Sequence, residues 1–185
     1  MDAQIGRILH CLPAVICGTI VNICSRYLIA PVYFHFVHGK SIARNFWGRS
    51  IHLPGREAWE GLTFEQLCID HEELIEKTLG IDILTYVSTW STKGDASQGI
   101  RGAQVDLVLD REDNVINLCE IKFWNDVHTI TKSMEGTLER KMETFKAMTG
   151  TQKALQVIMV TPHGVKTGTH SIISKQVTLD DLFGK

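Results

Sequence analysis

Residues 102–123 contain two runs rich in Val, Ile and Leu, separated by Arg111, Glu112, Asp113 and Asn114. A polar cluster of that composition between two β-branched runs predicts a β-hairpin. With Glu112, Asp113 and Asn114 in the loop, Arg111 faces Val115 and Asp110 faces Ile116. Further down the ladder Asp106 faces Glu120. Opposed residues of an antiparallel pair share one face of the sheet, and the two-residue period of a strand brings Lys122 to the same face. Two carboxylates and an ammonium are therefore expected to converge. Turn length carries this register, because a slip of one residue would send Asp106 to the opposite face.

On the other side of the hairpin, Val105, Leu107 and Leu109 of the first strand and Val115, Cys119 and Ile121 of the second are expected to bury against helices. Asp106 and Glu120 would then point into a cleft. Carboxylates held close together raise each other's pKa unless a cation sits between them. Mg²⁺ suits such a pair, since it takes one or two carboxylates, a carbonyl (here that of Ile121) and waters; Mn²⁺ would substitute for it. Lys122 would orient or deprotonate an attacking water, which is the chemistry of metal-assisted phosphodiester hydrolysis. A blander reading stands beside this one. Glu-x-Lys is common on strands, and an exposed Glu120–Lys122 pair can be no more than a solvated ladder. Asp106 across the hairpin, and an acid on the preceding helix, weigh against it.

That helix is expected as one piece over residues 57–80, with Trp59, Leu62, Phe64, Leu67, Cys68, His71, Leu74, Ile75 and Leu79 near 3.6 spacing and Gly80 as its stop. Glu65 lies among Leu62, Phe64 and Leu67, closer to the apolar side than Glu72, Glu73 or Glu76. A carboxylate at a core edge needs a partner. The metal site and Arg101 are both open to it.

Gln104, Val105 and Asp106 followed by Glu120, Ile121 and Lys122 resemble the PD-(D/E)XK nuclease superfamily. More narrowly, the chain is similar to the C-terminal nuclease-like domain of a group of prokaryotic AAA-type ATPases. Residues 58–68 resemble the first helix of that group, residues 102–110 and 114–123 its central hairpin, and residues 177–183 its C-terminal end. The resemblance covers about residues 26–185. It implies an α/β fold of restriction-endonuclease-like type, a mixed central β-sheet flanked by helices. Asp106 and Glu120 match the metal ligands, Lys122 the catalytic lysine, and Glu65 the helix-borne acid that supports metal binding. Val105 stands where the superfamily often has Pro. Arg140 and Lys141 sit where it often places a polar residue near the phosphate, and Lys141 is the supporting candidate.

The 185 residues suit a single folded domain, and 44% apolar with 22% charged content is ordinary for a globular protein. The net charge of −2 is unevenly spread. Residues 1–56 carry six basic residues against Asp2 alone, +5, while residues 57–185 carry thirteen basic and twenty acidic, −7. A basic arm is compatible with nucleic-acid contact and equally with ordinary surface scatter. Five cysteines show no zinc spacing and no disulfide rhythm, which suits a reducing cytoplasm. Residues 8–25 lack Asp, Glu, Lys and Arg. Pro13, Gly18 and Asn22 make the run a poor spanning helix, so it is expected to be buried or to form a dimer. Residues 1–47 are thus taken as an apolar and basic N-terminal segment, and residues 48–185 as the nuclease-like domain. No Gly-x₄-Gly-Lys-Ser/Thr occurs, so no P-loop binding of ATP is expected. The chain looks like a stand-alone or truncated tail of such an ATPase.

A strand is expected over residues 83–90 and a glycine-bearing loop over 91–102. There Arg101 and backbone amides would meet phosphates, or the loop would be a plain surface connection. A helix follows over 131–150 with Met134, Leu138, Met142, Phe145 and Met148 as its stripe, then a buried strand at 154–160, a turn at 162–168, a strand at 172–177 and a short helix. The expected function is a Mg²⁺-dependent nuclease acting on nucleic acid, DNA in the first place. A non-catalytic nuclease-fold module for partner binding or dimerisation is the alternative.

Overall fold

The computed structural model describes residues 56–95, 100–168 and 171–184. The expected N-terminal segment and its dimer-forming apolar run lie outside them. The chain divides into two compact units, Met1–Thr63 and Phe64–Lys185. Of the first, only the opening turns of helix α1 (Arg56–Asp70) are described.

The second unit is a mixed five-stranded sheet with helices on both faces. In chain order its elements are the end of α1, α2 (Glu72–Leu79), β1 (Thr85–Asp95), β2 (Ile100–Arg111), β3 (Val115–Ile121), β4 (His128–Thr129), α3 (Lys132–Thr149), β5 (Ala154–Val160), β6 (Val165–Lys166), β7 (Ile173–Val177) and α4 (Leu179–Phe183). The strand order is β1-β2-β3-β5-β7, and β4 and β6 form a separate parallel pair. β1, β2 and β3 are antiparallel, as tight connections permit. β3, β5 and β7 are parallel, which requires crossovers. Helix α3 makes the first of them.

The β2–β3 hairpin has the register that the turn composition predicts. Asp110 pairs with Ile116 and Leu107 with Cys119. Asn114 supplies the left-handed residue of the turn, with φ of 63°; Asn tolerates that conformation better than most residues. The Arg111 guanidinium closes the loop on the Asp113 carboxylate.

The expected alternation of β2 fails at one place. Leu107 and Leu109 do pack with Cys119 and Ile121 in the main core, beside Phe64, Cys68, Ile75, Leu79, Ile158, Val177 and Leu182 of the flanking elements. Val105 does not. It joins Val108, Ile116, Leu118 and Phe145 on the opposite face, under α3. The cause lies in the pairing with β1. Ser88 pairs with Val108 but Trp90 with Val105, so Asp106 and Leu107 together oppose Thr89. That is a β-bulge, and its extra residue resets which face the strand presents.

Four other expectations change. The helix over 57–80 is two helices, separated at His71, whose φ of −128° and ψ of 36° leave the helical range. The His71 ring packs edge-on against Phe183 of α4, a tertiary contact that local periodicity does not reveal. Most of the loop expected at 91–102 is strand, with Ser91, Thr92 and Gly94 paired to Gln104, Ala103 and Arg101. The turn at 162–168 contains β6, which lies beside β4. Met148 falls off the α3 stripe and is exposed, whereas Leu138 and Phe145 are buried on it. Among the described residues, no helix is long and apolar enough to cross a membrane.

Candidate functional site

Asp106 sits in the bulge and is 5% exposed. Its Oδ2 accepts the Ile121 N–H at 2.9 Å. The β2–β3 ladder ends one step earlier, at Leu107–Cys119, so the aspartate side chain takes over where the ladder stops. A backbone amide is thereby satisfied and the carboxylate is aimed at the end of β3.

Glu120, 8% exposed, lies between two lysines. Lys122 Nζ is 3.0 Å from its Oε1, and Lys141 Nζ is 2.6 Å from its Oε2. Lys122 Nζ also lies 3.6 Å from Asp106 Oδ2, an ion-pair distance beyond hydrogen-bond range. The Lys122 backbone is tied down by its N–H donating to the Val160 carbonyl at 3.0 Å. The convergence of positions 106, 120 and 122 expected from the hairpin is thus present in the structure.

The electrostatics follow from burial. Asp106 has its pKa raised, first by desolvation and then by Glu120. The Ile121 amide, Lys122 and Lys141 offset this in part. Glu65 on α1 is raised too, by its own burial, then by Asp106 and, more weakly, by Glu120; Lys122 and Lys141 pull it down. Glu65 therefore shares the field of this cluster, and Arg101 is not among the groups acting on it. Burial works to lower the pKa of Lys122, but Glu120 and Asp106 outweigh it, and the net shift is upward. Lys122 is held as an ammonium.

Three carboxylates (Glu65, Asp106, Glu120) thus share a field with two ammoniums (Lys122, Lys141), which leaves one negative charge in excess. Two buried oxygen donors with surplus negative charge fit a hard divalent cation that keeps part of its water shell. They do not form a closed cage. Among the described residues, no three His, Cys, Asp or Glu side chains group closely enough to hold a metal unaided.

Arg101 stands apart from this cluster. It is exposed and pairs with Gly94, five residues and so roughly 17 Å along the strand from Asp106. Lys141 is part of the cluster, but through a partner that the sequence does not suggest. It lies three residues after Leu138 and four before Phe145, both buried, so a cation occupies the inward stripe of α3. That position was the available signal. Its contact, Glu120, required the fold.

No protein-family model, curated protein or solved structure matches the chain.

Proposed function

We propose that this chain is a metal-dependent nuclease of PD-(D/E)XK type that hydrolyses phosphodiester bonds, with DNA as its substrate and Mg²⁺ or Mn²⁺ as its cofactor. The observation that carries the proposal is the meeting of Asp106, Glu120 and Lys122 at one end of the β2–β3 hairpin. The antiparallel β1-β2-β3 meander followed by the parallel β3–α3–β5 unit supports a restriction-endonuclease-like core.

Asp106 and Glu120 would hold the metal together with the Ile121 carbonyl, and Glu65 would assist from α1. When bound, the ion supplies Lewis-acid polarisation of the phosphodiester and eases loss of a proton from water. Lys122 contributes a fixed positive charge. In the metal-free site the carboxylates of Glu120 and Asp106 raise its pKa. Its role would be to orient or deprotonate the attacking water and to offset the charge growing on the phosphoryl oxygens. Asp106, buried and anchored on the Ile121 amide, keeps the ligand geometry from relaxing.

The test is cleavage of supercoiled, linear and single-stranded DNA with Mg²⁺ or Mn²⁺. Lys122→Ala and Asp106→Asn should each lower the rate by about 100-fold or more. Metal-dependent cleavage unchanged in Lys122→Ala would overturn the assignment. One observation favours a second reading, a non-catalytic module that keeps the nuclease fold: each oxygen of Glu120 already faces a lysine. That reading predicts that calorimetric titration with Mg²⁺ or Mn²⁺ shows no binding that Asp106→Asn abolishes.

A further inference from the structure

The two lysines on Glu120 are not equivalent. Lys122 belongs to the same strand end as the carboxylates. Lys141 comes from a different element, α3, and reaches Glu120 across the face that the helix covers. Apolar clusters lie on that face to either side of the contact. Phe145 and Met142 pack with Val105, Val108, Ile116 and Leu118, while Met134 packs with Ile130, Met159 and Val165. A helix buries an ammonium in such a seam only if the ammonium has a counter-charge, and at 2.6 Å the contact with Oε2 is of the short, charge-assisted kind. The two partners differ in access to water. The Lys141 side chain keeps 23% of its exposure, against 10% for that of Glu120. The ammonium has a route to solvent, and the carboxylate has very little.

We propose that Lys141 is a displaceable internal counterion, neutralising Glu120 in the metal-free protein and withdrawing when a divalent cation binds there. This rests on the reading of Asp106 and Glu120 as metal ligands. The charge count supports it. Glu65, Asp106 and Glu120 against Lys122 and Lys141 amount to −1. A divalent ion added to that set makes it +1, with two ammoniums facing the same carboxylate as the ion. Withdrawal of Lys141 returns the site to neutrality, and like charges in a partly desolvated site favour that outcome. Lys122, although its side chain is more exposed at 44%, is the poorer candidate to leave, because it faces Asp106 as well as Glu120. Lys141 then sets the metal concentration at which the site loads, since every binding event must first break its ion pair.

The experiment is calorimetric titration of Mn²⁺ and Mg²⁺ into the full chain, comparing wild type with Lys141→Gln, Lys141→Met and Glu120→Gln, each checked by thermal melting in chelator. Both Lys141 variants should bind the ions more tightly, by on the order of tenfold, and should melt lower than wild type without metal. Binding in the Lys141 variants alone would support the proposal still more strongly. Equal or weaker binding in both, with wild type competent, would overturn it and leave the nuclease reading standing. Binding absent from every protein tested would overturn both. A second readout uses the unmodified chain: acylation of Lys141 by an amine-reactive reagent, followed by mass spectrometry with exposed Lys93 as reference. Lys141 should label slowly without metal and faster with Mg²⁺, and a rate that is unchanged or slower counts against displacement.

Discussion

Asp106 illustrates the conflict between stability and a charged site. Its carboxyl is buried and its pKa is raised above the ordinary 3.8, as that of Glu65 is above 4.5. Between the ordinary value and the raised one, the folded chain binds more protons than the unfolded chain. These two groups therefore make the metal-free protein more stable as pH falls through their folded pKa, with the gain complete below the ordinary carboxylate values. Lys122 acts at the other end of the scale. Its raised pKa contributes stability that is whole below 10.5 and is lost as pH climbs through the folded value. Asp106→Asn keeps an acceptor for the Ile121 N–H and removes the buried charge. In chelator at neutral pH it should raise Tm by about 2–4 °C, equivalent to roughly 1 kcal/mol in a chain of this size. Its melting temperature should also rise less than that of wild type on acidification. A lower Tm for this variant would show that the charge is stabilised by its neighbours more than it is penalised by burial.

Among the elements, the hairpin decides whether the site exists, and its turn is the weak point. Asn114 has φ of 63°, a conformation that a β-branched side chain resists. Asn114→Val should therefore cost about 1–2 kcal/mol. Asn114→Gly should stay within roughly 0.5 kcal/mol of wild type. Urea midpoints compare the three proteins, and equal midpoints for Val and Gly would mean that the turn does not govern the hairpin. Helix α3 depends on ends that are readable in the sequence. The Thr131 hydroxyl accepts the Met134 N–H, and Gly150 closes the helix with φ of 66°. What α3 faces is another matter. Its stripe of Met134, Leu138 and Phe145 is legible as a core face, but Lys141 within that stripe has meaning only once β3 lies beneath it.

Across the whole molecule, the sheet is buried on both faces at its centre, along β3 and the second half of β5, which is why these two strands read as nearly unbroken apolar runs, whereas β1 and β7 are largely exposed. Ile158, on β5 between β3 and β7, lies at 0% exposure and joins the core that α1, α2 and α4 cover. Ile158→Ala should cost about 2–5 kcal/mol, and Met148→Ala on the exposed side of α3 under about 0.5 kcal/mol. Chemical denaturation distinguishes them, and similar losses would mean that the core is not organised around β5. The hairpin, its register, the crossover helix and the last strand are legible in the chain because each rests on neighbours in sequence: alternation, turn formers and caps. From these alone follows the approach of Asp106, Glu120 and Lys122, whereas the mixed sheet flanked by helices is what the resemblance to a nuclease superfamily implies. The division of the first helix at His71, the placing of Val105 under α3 and the pairing of Lys141 with Glu120 depend on partners 15 to 112 residues away or in another strand. Local pattern carries no record of such partners, because a bulge, a ring contact and a buried ion pair are each set by what packs against the segment rather than by the segment.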